Sequence, residues 1–347
     1  MDLNAQAKEV MDQLGKYASP PMETLSPRAA RNLPLLDYAV RDLVASKTAK
    51  RMHTVTTPMP EQIASITHQC IQGPGGEILL RFYTPEGTGP FPVLVYFHGG
   101  GWVIASPNHY DSSARALCKA AECIVVSVAY RQAPEHKYPA AAEDAHAATQ
   151  WVMKNAPAFQ GDPLRVAVGG ESAGGNLATV ACLMARDKRV LMPVHQLLVY
   201  PVTNFSFDTD SYREHSHAAP LNAAMMHWFW GHYLETEADG QQSYASPLQS
   251  TDLSGLPTAT VITAEIDPLR DDGRAYAKRL QEAHVPVHYH HYDGVMHEFF
   301  GLAALVDQAR DAVSRAAEEL RRSFRAKGED GPMPVEAQVT GFVPATS

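Results

Sequence analysis

The chain has 347 residues, of which 45% are hydrophobic, and its formal net charge at neutral pH is −9. A chain of this length can form one large domain or two smaller ones. The negative charge excludes the basic surface that nucleic-acid-binding proteins carry, and no uninterrupted apolar stretch is long enough to span a membrane. We therefore expect no nucleic-acid partner and no stable membrane association.

The N-terminal residues and the cysteines both bear on the cellular compartment. Residues 1–4 lack the basic start and the apolar run of a secretory signal peptide. The four cysteines, at positions 70, 118, 123 and 182, show neither a C-x-x-C motif nor the spacing of metal ligands. Reduced thiols are typical of a large chain without a secretion signal. We therefore expect a cytoplasmic protein.

In chain order, the first predicted elements are helical. Residues 1 to about 50 show an amphipathic pattern in which Val10, Met11 and Leu14 share one face. Ser26 and Pro27 are typical of a helix N-cap followed by a proline in the first turn. A membrane-surface helix would carry a face rich in Lys and Arg. This segment lacks such a face, so we expect it to pack against the rest of the protein.

The middle of the chain is predicted to alternate between strands and helices. Strands are predicted over residues 77–83, 92–97 and 123–128, and the alternation continues after them. This pattern predicts a mostly parallel sheet flanked by helices. Residues 205–245 interrupt the alternation with a strongly apolar helix, and residues 327–347 contain Gly and Pro without periodicity, as a tail would.

The most informative motif is the G-x-S-x-G sequence at residues 170–174, which directly follows a short apolar run. This pattern is typical of a strand that turns sharply into a helix and holds a serine hydroxyl at the tip. Gly170 and Gly174 suit a turn that is too tight for a Cβ atom. A serine hydroxyl is a weak nucleophile until a neighbouring base takes its proton. Ser172 therefore requires a histidine, a carboxylate and an oxyanion hole from elsewhere in the chain.

A second motif lies upstream of the first. The predicted strand 92–97 runs directly into His98, which is followed by three glycines and Trp102. Successive glycines leave backbone N–H groups uncovered, which suits a loop that approaches a developing oxyanion. An H-G-G-G loop together with a G-x-S-x-G turn is typical of lipases and esterases. His98 precedes the glycines, so we interpret it as organising the loop rather than acting as a base.

A carboxylate and then a histidine are expected after Ser172 in this architecture. The predicted buried strand 260–264 ends shortly before Asp267, Asp271 and Asp272. A carboxylate just past the C-terminal end of a strand lies at the edge where open α/β sheets bind ligands. Each of these three aspartates is a candidate, and Asp267 is nearest to the strand end.

A further strand is predicted over residues 285–292, and both Asp293 and His297 follow it. His297 is the candidate base, and Asp293 is a fourth candidate for the carboxylate. Within the strand, alternation places His288 and His290 on one face. No Asp or Cys partner is evident near them, so we favour a solvated or interfacial strand over a metal site.

Taken in order, these motifs resemble those of the bacterial hormone-sensitive-lipase-like family of α/β-hydrolases. The resemblance spans roughly residues 60–325, and the matching segments are 98–102, 130–135, 170–176, 267–273 and 296–297. The sequence departs from the family pattern at three positions: Gln132 stands in place of an apolar residue, Glu171 in place of Asp or Thr, and Glu298 in place of Gly.

The resemblance implies an α/β-hydrolase fold, in which a mostly parallel central sheet is flanked by helices and covered by a helical cap. Residues 1–50 would form the N-terminal cap helices, and residues 205–245 a second cap segment. The core would comprise residues 51–204 and 246–326, and residues 327–347 would form a C-terminal tail.

The resemblance also implies the residues of an active site. The catalytic triad would be Ser172, Asp267 and His297, and the oxyanion hole would be formed by the N–H groups of Gly100, Gly101 and Ala173. No metal ion and no organic cofactor is needed for this chemistry. Asp267 fits the family position of the triad carboxylate.

The apolar helix near residues 225–233 has two interpretations. For an arbitrary protein it would be a core helix, but the implied cap position makes its side chains candidates for the wall of an acyl pocket. We accordingly expect Trp102, Met226 and Trp230 to bind substrate. The expected partner is a small-molecule ester with a short to medium acyl chain, and a homodimer is compatible with the sequence.

The predicted function is that of a serine carboxylesterase that works through an acyl-enzyme. Fold and triad together do not fix the substrate, so another acyl hydrolase, such as a deacetylase, an amidase or a thioesterase, stays an alternative. A non-catalytic small-molecule receptor on the same fold is a second alternative. The plant gibberellin receptors resemble this family but have lost the catalytic histidine, and His297 argues against that role here.

Overall fold

An eight-stranded sheet forms the centre of the protein in a computed structural model that describes residues 2–51 and 61–329. The strands are β1 (Ser65–Gly73), β2 (Gly76–Thr84), β3 (Phe91–Phe97), β4 (Ile124–Ala129), β5 (Gly161–Glu171), β6 (His195–Val199), β7 (Thr258–Ile266) and β8 (Val287–Met296). Their order across the sheet is β1-β2-β4-β3-β5-β6-β7-β8. Strand β2 is antiparallel to both of its neighbours, and β3 to β8 pair in parallel.

The parallel strands are buried on both faces of the sheet. In β3, Val93 and Val95 pack into the hydrophobic cluster on one face, whereas Leu94 and Tyr96 pack into the cluster on the other. Alternating side chains thus serve two separate cores, as a sheet covered by helices on both faces requires. This architecture confirms the predicted α/β-hydrolase fold with its mostly parallel sheet.

Five helices of the core flank the sheet. They are α4 (Asp111–Ala121), α5 (Ala140–Asn155), α6 (Ala173–Asp187), α9 (Arg270–Glu282) and α10 (Asp307–Glu329). Helices α4 and α10 supply side chains to the cluster that contains Leu94, and α5, α6 and α9 supply the cluster that contains Val93. Short 3-10 helices at Ala156–Phe159, Pro247–Gln249 and Phe299–Leu302 complete the core.

The helices outside the core come from the two segments predicted to form the cap. The N-terminal segment contains α1 (Ala5–Gly15), a 3-10 helix (Met22–Thr24), α2 (Pro27–Ala30) and α3 (Leu36–Arg51), and the segment between β6 and β7 contains α7 (Asp210–Glu214), α8 (Ala223–Tyr233) and a 3-10 helix (Glu237–Gln241). The Trp228 indole of α8 donates a hydrogen bond to the carbonyl oxygen of Leu25 at 3.1 Å. The two segments therefore contact each other.

Two predicted segments extend beyond the described residues. The tail predicted for 327–347 lies outside them after Glu329, and so does the stretch 52–60 at the start of the predicted core. Within residues 2–51 and 61–329, no helix combines the length and the apolar character needed to cross a membrane.

Candidate active site

Ser172 occupies the tip of the turn between β5 and α6. Its backbone has φ 57° and ψ −118°, and a non-glycine residue in this region is strained. A Cβ atom on Gly174 would lie only 1.9 Å from the carbonyl oxygen of Phe97. The helix therefore leaves the strand so closely that position 174 has room only for glycine, as the G-x-S-x-G pattern predicted.

His297 connects Ser172 to Asp267. The Nε2 atom of His297 lies 3.0 Å from the Ser172 hydroxyl, and its Nδ1 atom lies 2.7 Å from the Asp267 carboxylate. The second oxygen of Asp267 accepts a hydrogen bond from the Leu269 N–H at 2.8 Å. All three side chains are buried, with exposed fractions of 5%, 3% and 0% for Ser172, His297 and Asp267. The arrangement has the geometry of a nucleophile, a base and a carboxylate that orients the base.

The other three candidate aspartates are engaged elsewhere. Asp271 pairs with Arg270 and accepts a hydrogen bond from the Ser211 N–H at 2.8 Å. Asp272 is buried and accepts from the Thr203 N–H at 3.0 Å. The side chain of Asp293 is 87% exposed. Of the four, Asp267 is the one that the structure places against His297.

The surroundings of His297 act on its pKa in opposite directions. Burial lowers the pKa, because it disfavours the charged imidazolium. The negative charge of Asp267 and the hydrogen bond to it raise the pKa, and Glu298 and Glu171 add to this effect. The net result is a pKa above the usual value of 6.5. The imidazolium formed by accepting a proton is thus stabilised.

The glycine loop after β3 lies beside Ser172. Gly100 and Gly101 line the same cavity as Ser172 and His297. Gly101 has φ 57°, and a Cβ atom there would lie 2.2 Å from the ring of Phe229. In the part of the chain that the structure describes, the N–H groups of Gly100, Gly101 and Ala173 have no hydrogen-bond acceptor. These donors are available for an oxyanion.

Two side chains hold the glycine loop in place. The Nδ1 atom of His98 lies 2.7 Å from the carbonyl oxygen of Gly99, and the Tyr130 hydroxyl donates to the His98 carbonyl oxygen at 2.9 Å. Burial lowers the pKa of His98 to about 4, so this histidine is neutral at pH 7. Gln132, one of the departures from the family pattern, donates its amide N–H to the Ile104 carbonyl oxygen at 2.7 Å.

A cavity of about 540 Å³ opens over Ser172 and His297. Its lining is mostly apolar and comes from both segments predicted to form the cap, with Met11, Leu14, Met22 and residues 33–36 on the N-terminal side. From the second segment, residues 219–221 and helix α8 contribute. Ligand sites are commonly concave, largely apolar cavities with a few polar groups.

Helix α8 presents different residues to the cavity than the sequence analysis proposed. Met225 and Phe229 line the cavity. Met226 and Trp230, which follow Met225 and Phe229 in the sequence, are buried on a neighbouring face of the helix. The Trp230 ring lies 4.7 Å from that of Trp102. The structure thus does not bring Trp102, Met226 and Trp230 to the cavity surface. The i, i+4 spacing of Met225 and Phe229 marks a shared face, but the face that meets the cavity depends on the docking of the helix.

Glu171, beside the nucleophile, is the centre of a buried polar cluster that sequence reasoning missed. Its carboxylate accepts hydrogen bonds from the hydroxyl groups of Tyr96 and Tyr200. The ring of Tyr200 in turn lies 4.5 Å from the imidazole of His297. Burial raises the pKa of Glu171, and the two hydroxyl groups partly oppose this effect. Through Tyr200, the cluster packs against the imidazole of His297.

Glu298, the third departure from the family pattern, also lines the cavity. Its backbone is left-handed, with φ 66°, which explains why glycine is usual at this position. Its carboxylate accepts a hydrogen bond from the Tyr110 hydroxyl at 2.9 Å. Within the described residues, no group of three or more His, Cys, Asp or Glu side chains could hold a metal ion.

Comparison with known proteins identifies the family. Residues 94–301 match the family described as the alpha/beta hydrolase fold. The chain belongs to this family, and the match confirms the resemblance found from the motifs.

Individual relatives cover most of the chain. The carboxylic ester hydrolase LipN of Mycobacterium tuberculosis is 41% identical over 270 residues, which is 76% of this chain and 72% of the relative. The carboxylesterase NlhH of the same species is 40% identical over 254 residues, 72% of this chain and 80% of the relative. A solved structure of a hyperthermophilic esterase from the archaeon Pyrobaculum calidifontis matches with a TM-score of 0.82 at 37% identity, covering 93% of this chain and 99% of that one.

Proposed function

We propose that the protein is a serine carboxylesterase that hydrolyses esters with short to medium acyl chains. The observation that carries this proposal is the continuous contact from Asp267 through His297 to Ser172, beneath a cavity that admits a small molecule. The names of the relatives, which include a carboxylic ester hydrolase and a carboxylesterase, support the same reaction class.

The proposed reaction begins with acylation of Ser172. As the Ser172 hydroxyl oxygen attacks the ester carbonyl carbon, His297 takes the hydroxyl proton. Asp267 holds the imidazole in the required tautomer and stabilises the imidazolium. The C–O bond to the alcohol then breaks, and His297 returns its proton to the leaving alkoxide. Water repeats the sequence on the acyl-enzyme and releases the carboxylic acid.

The tetrahedral intermediate carries a negative charge on the former carbonyl oxygen. The N–H groups of Gly100, Gly101 and Ala173, which have no acceptor among the described residues, are the proposed donors to it. Donors fixed in advance in a dry site stabilise this charge without reorganisation, and loss of one such donor typically costs about 10²- to 10³-fold in kcat. Gly101 is kept free of a side chain by its left-handed backbone and by Phe229.

The proposed chain length rests on the residues that bound the cavity. The cavity of about 540 Å³ has room for a small ester, and Met225 and Phe229 form part of its wall. Each buried methylene contributes about 0.8 kcal/mol, so the rate is expected to rise over the first few carbons and to fall once the acyl chain meets the cap.

The test is kcat/KM for p-nitrophenyl esters from acetate to palmitate, with Ser172→Ala as the inactive control. A maximum among the short and medium esters supports the proposal, and a maximum at palmitate contradicts the chain-length part of it. Parallel assays with matched amides and thioesters distinguish an esterase from another acyl hydrolase. Failure of a fluorophosphonate to label Ser172 would favour a non-catalytic receptor.

A further inference from the structure

The residue after the candidate base, Glu298, is an acidic residue that lines the cavity. Glu298 has a left-handed backbone, with φ 66°. Glycine adopts this conformation without strain. Glu298 lines the cavity next to His297, and its side chain adds a carboxylate that glycine would lack. The backbone conformation therefore gives no reason for the carboxylate at this position, because glutamate adopts that conformation less readily than glycine does.

The carboxylate of Glu298 is held in a defined place. Its Oε1 atom accepts the hydrogen bond from Tyr110, a residue that is only 8% exposed. The Tyr110 hydroxyl itself lies against the glycine loop, since a Cβ atom on Gly99 would be 2.3 Å from its oxygen. Tyr110, which packs against the glycine loop, thus fixes the position of the Glu298 carboxylate.

Apart from His297, the ionisable residues that line the cavity in the described part of the chain are acidic. They are Asp12 and Glu298, and among the described lining residues there is no Lys or Arg. Asp12 is paired with Lys8 at 2.9 Å and its side chain is 61% exposed, so solvent and the lysine screen its charge. Glu298 has the Tyr110 hydroxyl as its hydrogen-bond partner and, among the described residues, no cationic side chain paired with it.

We propose that Glu298 is a specificity-determining residue that makes the cavity reject substrates carrying a carboxylate and favour neutral or cationic ones. This inference rests on the proposed function, since it names the substrate class of the same site. A substrate carboxylate beside Glu298 would meet a like charge in a partly desolvated cavity. At separations of about 6 Å and an effective dielectric constant between 20 and 80, such repulsion corresponds to about 3- to 100-fold in rate.

The test uses three para-substituted benzenesulfonyl fluorides of similar size, carrying a carboxylate, a carboxamide or a trimethylammonium group. The Ser172 oxygen displaces fluoride from sulfur, and the serine proton passes to His297. The second-order rate of labelling is measured by intact-protein mass spectrometry for the wild type, Glu298→Gln and Glu298→Gly. Ratios to the carboxamide reagent, compared between proteins, cancel the intrinsic reactivity of each reagent.

In both variants we expect the carboxylate-to-carboxamide ratio to rise about tenfold and the ammonium-to-carboxamide ratio to fall. High salt should weaken the discrimination in the wild type, because it screens charges. The matched control is Glu122→Gln, which removes one charge from another left-handed glutamate, with φ 52°, at the exposed end of α4. Its ratios should stay within twofold of wild type.

The proposal is overturned if both ratios are unchanged in Glu298→Gln and Glu298→Gly, or if none of the reagents labels Ser172 in the wild type. Two variants are used because glycine relieves the backbone strain, whereas glutamine keeps an acceptor for Tyr110. Turnover of p-nitrophenyl acetate by the wild type is measured alongside. Its absence would contradict the proposed esterase function, while the labelling ratios would still decide the role of Glu298.

Discussion

The Nε2 atom of His297 lies 3.0 Å from the hydroxyl oxygen of Ser172, although the two residues follow different strands of the sheet. Ser172→Ala should therefore leave a folded protein whose esterase kcat/KM is lower by about 10⁴-fold or more. His297→Ala should have a similar effect, and the double variant should lose little more, because the residues act as a unit. Near-normal turnover by folded Ser172→Ala would refute the proposed mechanism.

Asp267 and Asp271 offer a matched pair of substitutions. Asp267→Asn should reduce kcat by about 10⁴-fold, because the amide favours the wrong tautomer of His297. Asp271→Asn should stay within a few-fold of wild type, since Asp271 contacts Arg270 and the Ser211 N–H instead. Steady-state kinetics on p-nitrophenyl butyrate would measure both. The opposite pattern would assign the orienting role to Asp271.

The raised pKa of His297 predicts where activity is lost in acid. The base must be neutral to accept a proton, and a raised pKa keeps it protonated up to a higher pH. The kcat/KM profile should therefore rise through an apparent pKa above the usual histidine value of about 6.5 and then level off. A profile that is flat from pH 5 to 9, or a midpoint well below 6.5, would contradict this expectation.

The packing of α8 predicts which substitution enlarges the acyl pocket. Phe229→Ala removes a side chain that lines the cavity, so the optimum of the p-nitrophenyl ester series should move to longer chains. Trp230→Ala removes a buried side chain that packs on Trp102, and it should cost about 3–5 kcal/mol of stability. If Trp230→Ala alone lengthened the preferred chain, the cavity wall would have to be reassigned.

The buried cluster around Glu171 predicts a stability effect. Glu171→Ala would leave the hydroxyl groups of Tyr96 and Tyr200 without their acceptor, at a cost of about 1–3 kcal/mol for each buried group. Glu171→Gln keeps one acceptor and should destabilise less. Urea denaturation followed by circular dichroism gives both free energies of unfolding. Equal stability of Glu171→Ala and wild type would show that the cluster contributes nothing to folding.

Several features of the fold and the site were predictable because their physical causes are local. The turn at Ser172 needs glycine at 174 to clear the Phe97 carbonyl, and that requirement is visible as a five-residue motif. The alternation of apolar strands and helices predicted the parallel sheet, which the structure confirms. The glycine loop after β3 was visible in the same way.

Other features depend on contacts between distant parts of the chain. Four aspartates satisfied the order rule, and their neighbours in the fold, such as the Ser211 N–H at Asp271, decide which one meets His297. The sequence showed an apolar helix near residues 225–233, but not that Phe229 rather than Trp230 faces the cavity. The sequence showed that Glu171 and Glu298 depart from the family pattern, but it did not show that tyrosine hydroxyl groups would be their hydrogen-bond partners.

The sequence by itself therefore determined the family, the sheet and the residue types of the candidate site, because strand–turn–helix geometry imposes its requirements over a few adjacent positions. The tertiary structure alone decided the partner of His297, the residues that form the wall of the cavity and the tyrosine that holds Glu298. These depend on how helices from the N-terminal segment and from the segment between β6 and β7 dock over one edge of the sheet. The contacts that a residue makes across that interface do not appear as a periodic pattern in the sequence around it.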